Sequence, residues 1–230
     1  MPEPKGHPMT RPLAIIAGVG PGIGAAVARA FSAEGYAVAL LARRRGVLEA
    51  LAYQLSDASI WTVDLGDPSA VASVIGQITA EHGAPDVLHY NAAGWHESDP
   101  LVLDLAVFTA DLSLCATGAL AAIQAVVAAM QAKGGGTLLF TGGGLALHPE
   151  YGGDVVSLTA GKAAMRAMVL ALAPKLAERG IHAATVTVTG TVAPGTPFDP
   201  DLIAASFMAL HKQSRQDWQV EVVFDGKSAR

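Results

Sequence analysis

From Leu13 onward, short apolar runs alternate with longer stretches in which apolar positions recur every three or four residues, the two periodicities of buried strands and packed helices. "LAIIAG" predicts a first strand, and a helix follows from about Gly22 to Glu34, closed by Gly35. "AVALLA" (37–42), "SIWTVD" (59–64) and "DVLHYNA" (86–92) predict three further strands, with "GVLEALAYQL" a helix between the first two of them. Before the fourth strand, Asp67 suits an N-cap, Pro68 the first helical position, and Gly83 the end of the helix. A long helix near 104–132 then precedes the strand "TLLFTG". Another helix, about 155–179, precedes "IHAATVTV", and "VEVVF" near the end predicts a seventh strand. The segment 189–201 reads as a loop, and 189–211 as a wall of a substrate pocket.

Continuous apolar strands in strict alternation with helices imply a parallel sheet covered on both faces, because each right-handed crossover lays its helix over one side. The expected fold is therefore α/β: a doubly wound, Rossmann-type sheet of about seven strands in a three-layer αβα sandwich. A length of 230 residues suits one domain, set at 12–230 behind a flexible arm over residues 1–11; the first dozen residues, "MPEPKGHPMTRP", carry four prolines and no apolar core. With 15% charged residues and a net charge of −5, the chain offers a nucleic-acid backbone little attraction. A single cysteine, Cys115, rules out a disulfide framework or a multi-cysteine metal site and suits a cytoplasmic place. The apolar segment 114–130 is alanine-rich and shorter than a bilayer span, so a buried helix and no membrane are expected.

Between the first strand and the first helix, "GVGPGIG" sets glycines at 18, 20, 22 and 24 around Ile23. Glycines there allow a tight turn, a close approach of main chain to a pyrophosphate and close helix–sheet packing, and the helix N-terminus offers free N–H groups to an anion. A purely structural turn is the plainer alternative. Gly18, Gly22 and Gly24 have the spacing G-x-x-x-G-x-G, which resembles the short-chain dehydrogenase/reductase family. The resemblance continues through Asp64 and Leu65 after the third strand, "NAAG" (Asn91, Ala92, Ala93 and Gly94) after the fourth, and "LLFTGGG" in the fifth. It implies a nicotinamide dinucleotide as cofactor, with Asp64 and Leu65 against the adenine and a carbonyl or alcohol as substrate. After the second strand stand Ala42, Arg43, Arg44 and Arg45 in place of a carboxylate for the ribose diol. Guanidinium groups favour a 2′-phosphate, hence NADP(H) over NAD(H), unless the loop is simply a solvated basic one.

The family resemblance also implies an asparagine in the fourth helix, a serine after the fifth strand, and a tyrosine four residues before a lysine. In this chain Cys115 falls at the asparagine position, Gly143 at the serine and Leu158 at the tyrosine, while Lys162 is retained to orient the cofactor. No tyrosine stands four residues before any lysine of the chain. Losing a positioned general acid removes ~10²–10⁴ in rate. Tyr151, in "HPEYGGD", is a substitute acid to weigh beside His148, although both suit ordinary loop residues; Lys162 likewise suits a solvated lysine. Trp95, His96, Phe198 and Phe207 are further pocket residues to weigh.

Three functions remain open from these residues. The first is an NADP(H)-dependent oxidoreductase with a degenerate site; the second is an inactive NADP(H)-binding sensor or partner subunit; the third is a structural relic. The apolar helices "GALAAIQAVVAAM" and "AAMRAMVLALA" suit a homodimer or homotetramer interface.

Overall fold

The computed structural model describes residues 11–227, so the arm expected over 1–11 lies outside them except for Arg11, whose guanidinium meets Asp57 at 3.3 Å. Seven strands alternate with helices: β1 (Leu13–Ala17), α1 (Ile23–Ala33), β2 (Ala37–Ala42), α2 (Arg45–Ala52), β3 (Ala58–Thr62), α3 (Pro68–His82) and β4 (Val87–Tyr90). Then come α4 (Leu105–Leu112), α5 (Gly118–Ala132), β5 (Gly136–Gly143), α6 (Val156–Glu178), β6 (Ile181–Val188), α7 (Pro200–His211) and β7 (Glu221–Phe224). The strands form one parallel sheet in the order β3-β2-β1-β4-β5-β6-β7. Successive strands run outward in opposite directions from β1 and β4, which opens a crevice at their carboxyl ends.

Strand alternation builds two cores. Leu13, Ile15 and Leu41 face α3, α5 and α6 through Ile75, Val126 and Met165; Ile16 and Leu40 face α1, α2 and α7 through Phe31, Leu48 and Phe207. Helix ends follow local chemistry. The Asp67 carboxylate accepts from the N–H groups of Ser69 and Ala70, and Gly83 leaves the helix at φ 88°.

Three expectations need correction. The helix expected over 104–132 is interrupted by a π-turn, Ser113–Thr117. Such a turn frees carbonyls from the i→i+4 ladder, and the buried Tyr90 hydroxyl donates to that of Leu114 at 2.7 Å. The combined run Leu105–Ala132, like Gly153–Glu178, is long and apolar enough to cross a membrane by length and composition. Each nonetheless lays one face on the sheet, through Ala122 and Val126 in α5 and through Met165 and Val169 in α6. Finally, residues 200–211 form α7 rather than pocket wall. Asp199 caps it at the Asp201 N–H, Pro200 starts it, and Ile203 and Phe207 bury it in the core.

Candidate active site

The turn after β1 is shaped by close approaches. Gly18 has φ 98°, and a Cβ there would fall 2.7 Å from the carbonyl carbon of Asn91; one on Gly24 would fall 2.6 Å from the Gly18 oxygen. Those two glycines serve packing, whereas Gly20 and Gly22 look into open space with nothing within 4 Å of a Cβ. Gly22, the N-cap of α1, brings no capping side chain; the Ala25 N–H donates to the Gly20 carbonyl at 3.1 Å, which leaves the N–H groups of Ile23 and Gly24 as the donors of the first turn for an anion. Asn91 ties the loop after β4 to this cradle, its Nδ2 donating to the Gly18 carbonyl at 2.9 Å.

Beside the cradle lies a recess of about 390 Å³, lined by Gly18, Gly20, Arg43, Arg44, Leu65 and Ala92 among others. Arg45 turns away into an ion pair with Glu49 at 2.8 Å, which leaves Arg43 and Arg44 exposed at the recess. Asp64 is exposed and spends one carboxylate oxygen on the Gly66 N–H at 2.9 Å, while Val63 and Leu65 line the recess. An open glycine cradle, a helix N-terminus and two exposed guanidiniums together suit a phosphorylated dinucleotide.

Through Ile23, Asn91 and Ala93 the cradle side continues into a second cleft of about 1220 Å³. Lys162, Leu158 and Gly143 all line it. Lys162 is buried, and its Nζ donates to the Thr141 carbonyl at 2.7 Å; burial lowers its pKa from the ordinary lysine range. Gly143 lies beside the lysine stem, where a Cβ would make an ordinary contact of 3.5 Å with Lys162 Cγ. Leu158, one helical turn earlier, brings only apolar surface to the cleft wall. Tyr151 and His148 stand at the rim, both exposed; the His148 ring contacts Glu150 at 3.3 Å.

Other expected residues lie elsewhere. Cys115 is buried in the π-turn, its thiol toward the Ala92 carbonyl at 3.9 Å, and burial raises its pKa. Trp95 lines the cleft, but the other three pocket residues weighed in the sequence do not. Phe207 packs edge-on against His89 in the core, and Phe198 lies 6.0 Å from the Phe224 ring. His96 turns to Asp111.

Two buried polar groups escaped the sequence reading. The Asp111 carboxylate takes the Ser157 hydroxyl at 2.5 Å and faces His96 Nδ1 at 2.8 Å through the same oxygen. This fastens the loop that carries Trp95 and Glu97 to the start of α6. Under β5, His89 Nε2 lies 3.0 Å from Thr141 Oγ1, and burial lowers its pKa to about 3. A lone carboxylate in an apolar helix and a histidine in an apolar strand were the available signals.

A doubly wound sheet with a glycine cradle at its switch point defines the dinucleotide-binding class of α/β proteins. Residues 12–199 match the family model described as short chain dehydrogenase. The chain is 33% identical over 191 residues to the short chain dehydrogenase/reductase dmxR12 of Cryptosporiopsis sp. (strain 8999), covering 75% of this chain and 74% of that protein. It is 30% identical over 173 residues to a galactitol 2-dehydrogenase (L-tagatose-forming) of Cereibacter sphaeroides, covering 74% and 67%. Among solved structures, a metagenomic short-chain oxidoreductase in complex with NADP superimposes with a TM-score of 0.81 at 25% identity, over 92% of this chain and 96% of that one. This chain belongs to the short-chain dehydrogenase family.

Proposed function

We propose that the chain is an NADP(H)-dependent oxidoreductase acting on a carbonyl or alcohol, with a proton-transfer apparatus that lacks the family's phenol. The observation that carries this reading is the Lys162 amine, buried at a cleft that adjoins the glycine cradle. Lys162 holds the nicotinamide ribose; Gly20, Gly22 and Ile23 hold the pyrophosphate side, in the turn that Gly18 and Gly24 shape by close packing; Arg43 and Arg44 take the 2′-phosphate. Leu65, with Asp64 beside it, and Asn91, Ala92 and Ala93 border the adenine and ribose. NADP(H) when bound supplies the hydride chemistry; the chain supplies orientation and a water-poor wall. Gly142, Gly143 and Gly144 let main chain, rather than side chains, border the reacting end.

A proton donor other than a phenol on α6 is then required, and Tyr151 is the phenol that lines the cleft. The assay is NADPH oxidation across a panel of aldehydes and ketones. Turnover lost in Tyr151→Phe supports a relocated acid. Turnover unchanged in that variant leaves water as the donor. Leu158 favours a second reading, a sensor or partner subunit that binds NADP(H) without turnover. Binding with no oxidation of any carbonyl would select it, and absence of both would contradict the proposal.

A homodimer or homotetramer belongs to the same reading, supported by Leu120, exposed on α5. So do a single domain over 12–230 and a cytoplasmic place, the latter supported by the one free cysteine.

A further inference from the structure

One wall of the large cleft is built from two segments tied to each other. The Ser98 N–H donates to the Asp154 carbonyl at 3.0 Å, which joins the loop carrying Glu97 to the turn carrying Asp154, and both residues line the cleft. The Trp95 indole Nε1 donates to the Glu97 carboxylate at 2.9 Å and holds it at that wall. Behind the loop, the buried Asp111 carboxylate fastens His96 and Ser157 to one another, so the loop is anchored to the start of α6 as well. These contacts present two carboxylates and an exposed indole on one preformed surface.

No cation of the cleft is left over to balance them. Among the residues that line it there is no arginine, and its one lysine is Lys162, whose amine is engaged by the Thr141 carbonyl. His148, at the rim, is held against Glu150 at 3.3 Å. Among the described residues the Asp154 carboxylate has no side-chain partner, and that of Glu97 has only the indole. The remaining wall is apolar, through Val155, Leu158 and Val192. Carboxylates attract a cation and repel an anion, and the face of a tryptophan attracts a cation through its quadrupole. An apolar wall accepts the body of a molecule but gives a carboxylate or phosphate no partner.

We propose that the cleft selects cationic aromatic carbonyl compounds, an aryl body bearing a protonated amine or quaternary ammonium group, and that Glu97 and Asp154 make it discriminate against oxo acids and phosphorylated carbonyls. The ammonium group meets the two carboxylates, the aryl body lies against Trp95, and the inner end near Lys162 is left for the carbonyl. A cleft of about 1220 Å³ has room for such a molecule beside the nicotinamide. The inference rests on the reading that this cleft takes a carbonyl next to NADP(H), and it specifies the charge of that carbonyl compound.

The test uses para-(aminomethyl)benzamide, para-ethylbenzamide and para-(carboxymethyl)benzamide, amides that hydride from NADPH does not reduce and that share a body while differing in charge at one end. Each is titrated by calorimetry into the full-length protein, saturated with NADPH and again without it, and NADPH binding is followed separately by thermal shift. At about pH 7.5 the amine and the acid are both ionised. At low salt the cation is expected to bind about tenfold more tightly than the anion, with the neutral amide between them, and the ratio shrinks as added salt screens the exposed carboxylates. Glu97→Gln combined with Asp154→Asn, checked for folding by circular dichroism, brings the ratio to within about twofold. Equal affinities, the reverse order, no binding of any of the amides to either form, or a ratio that the double variant leaves unchanged overturns the inference. If NADPH still raises the melting temperature in those cases, the proposed function stands without it. The expected order in a protein that NADPH does not stabilise would uphold the charge selection and sink the function.

Discussion

Leu158 and Lys162 share one face of α6 and one cleft, so a phenol placed at 158 would reach the space beside the lysine amine. Leu158→Tyr, combined with Gly143→Ser, is therefore expected to raise carbonyl reduction by ~10²–10⁴, read as NADPH oxidation under saturating substrate. No gain in a variant that still binds NADPH would show that Leu158 does not occupy the acid's place. Arg43 and Arg44 give a second expectation. Each charged hydrogen bond to a phosphate contributes about 1.5–3 kcal/mol, so Arg43→Ala or Arg44→Ala should weaken NADPH binding by roughly 10–100-fold while leaving NADH nearly unchanged, as titration calorimetry would record. At this scale the sequence was informative where chemistry is local. Glycine spacing and the lysine register can be read along the chain. The Asp111 contacts cannot, because Ser157 and His96 meet it from 46 and 15 residues away.

The elements depend on buried groups whose protonation the fold restricts. His89 is fully buried with its pKa lowered to about 3, and His182 and His211 are lowered by burial as well. An unfolded chain takes protons at these sites below the ordinary 6.5, which the folded one resists, so their contribution is complete above about pH 6.5 and declines as pH falls, for His89 down to about 3. The loss is at most ~1.4 kcal/mol per pH unit for each group. Urea midpoints should therefore decline from pH 6.5 downward, with a shallower decline in His89→Leu; an equal slope in both proteins would remove His89 from the account. The β1–α1 turn gives a sterically defined expectation. Gly18→Ala puts a methyl against Asn91 at φ 98° and should cost about 1–3 kcal/mol, measured by urea unfolding, whereas Gly20→Ala meets no protein atom and should spare stability. Periodicity located β1, β2, β6 and α3 closely because each pattern is uninterrupted. The π-turn stayed hidden because the partner of its Leu114 carbonyl, the Tyr90 hydroxyl from β4, is tertiary, and α7 was missed although Asp199 and Pro200 signal its start.

As a whole molecule the chain shows two faces of α5 and α6 with different tasks. One seats on the sheet; the other carries apolar side chains such as Leu120 toward the outside. Light scattering at micromolar concentration is expected to give a dimer or tetramer, and Leu120→Glu to shift it toward monomer. A wild-type monomer would refute the assembly. The doubly wound parallel sheet of about seven strands was legible because crossover handedness admits few alternatives, whereas the strand order came only with the structure. What fills the crevice is a matter of side-chain contacts, and the claim that most depends on them is that the glycine cradle, the exposed Arg43 and Arg44 and Lys162 grip NADP(H). Thermal unfolding with and without NADPH tests it most directly. At 100 times Kd the ligand should add about 2.7 kcal/mol of stability, with a clearly smaller effect from NADH at equal concentration and a reduced one in Lys162→Ala. A melting temperature that neither dinucleotide moves would contradict the account.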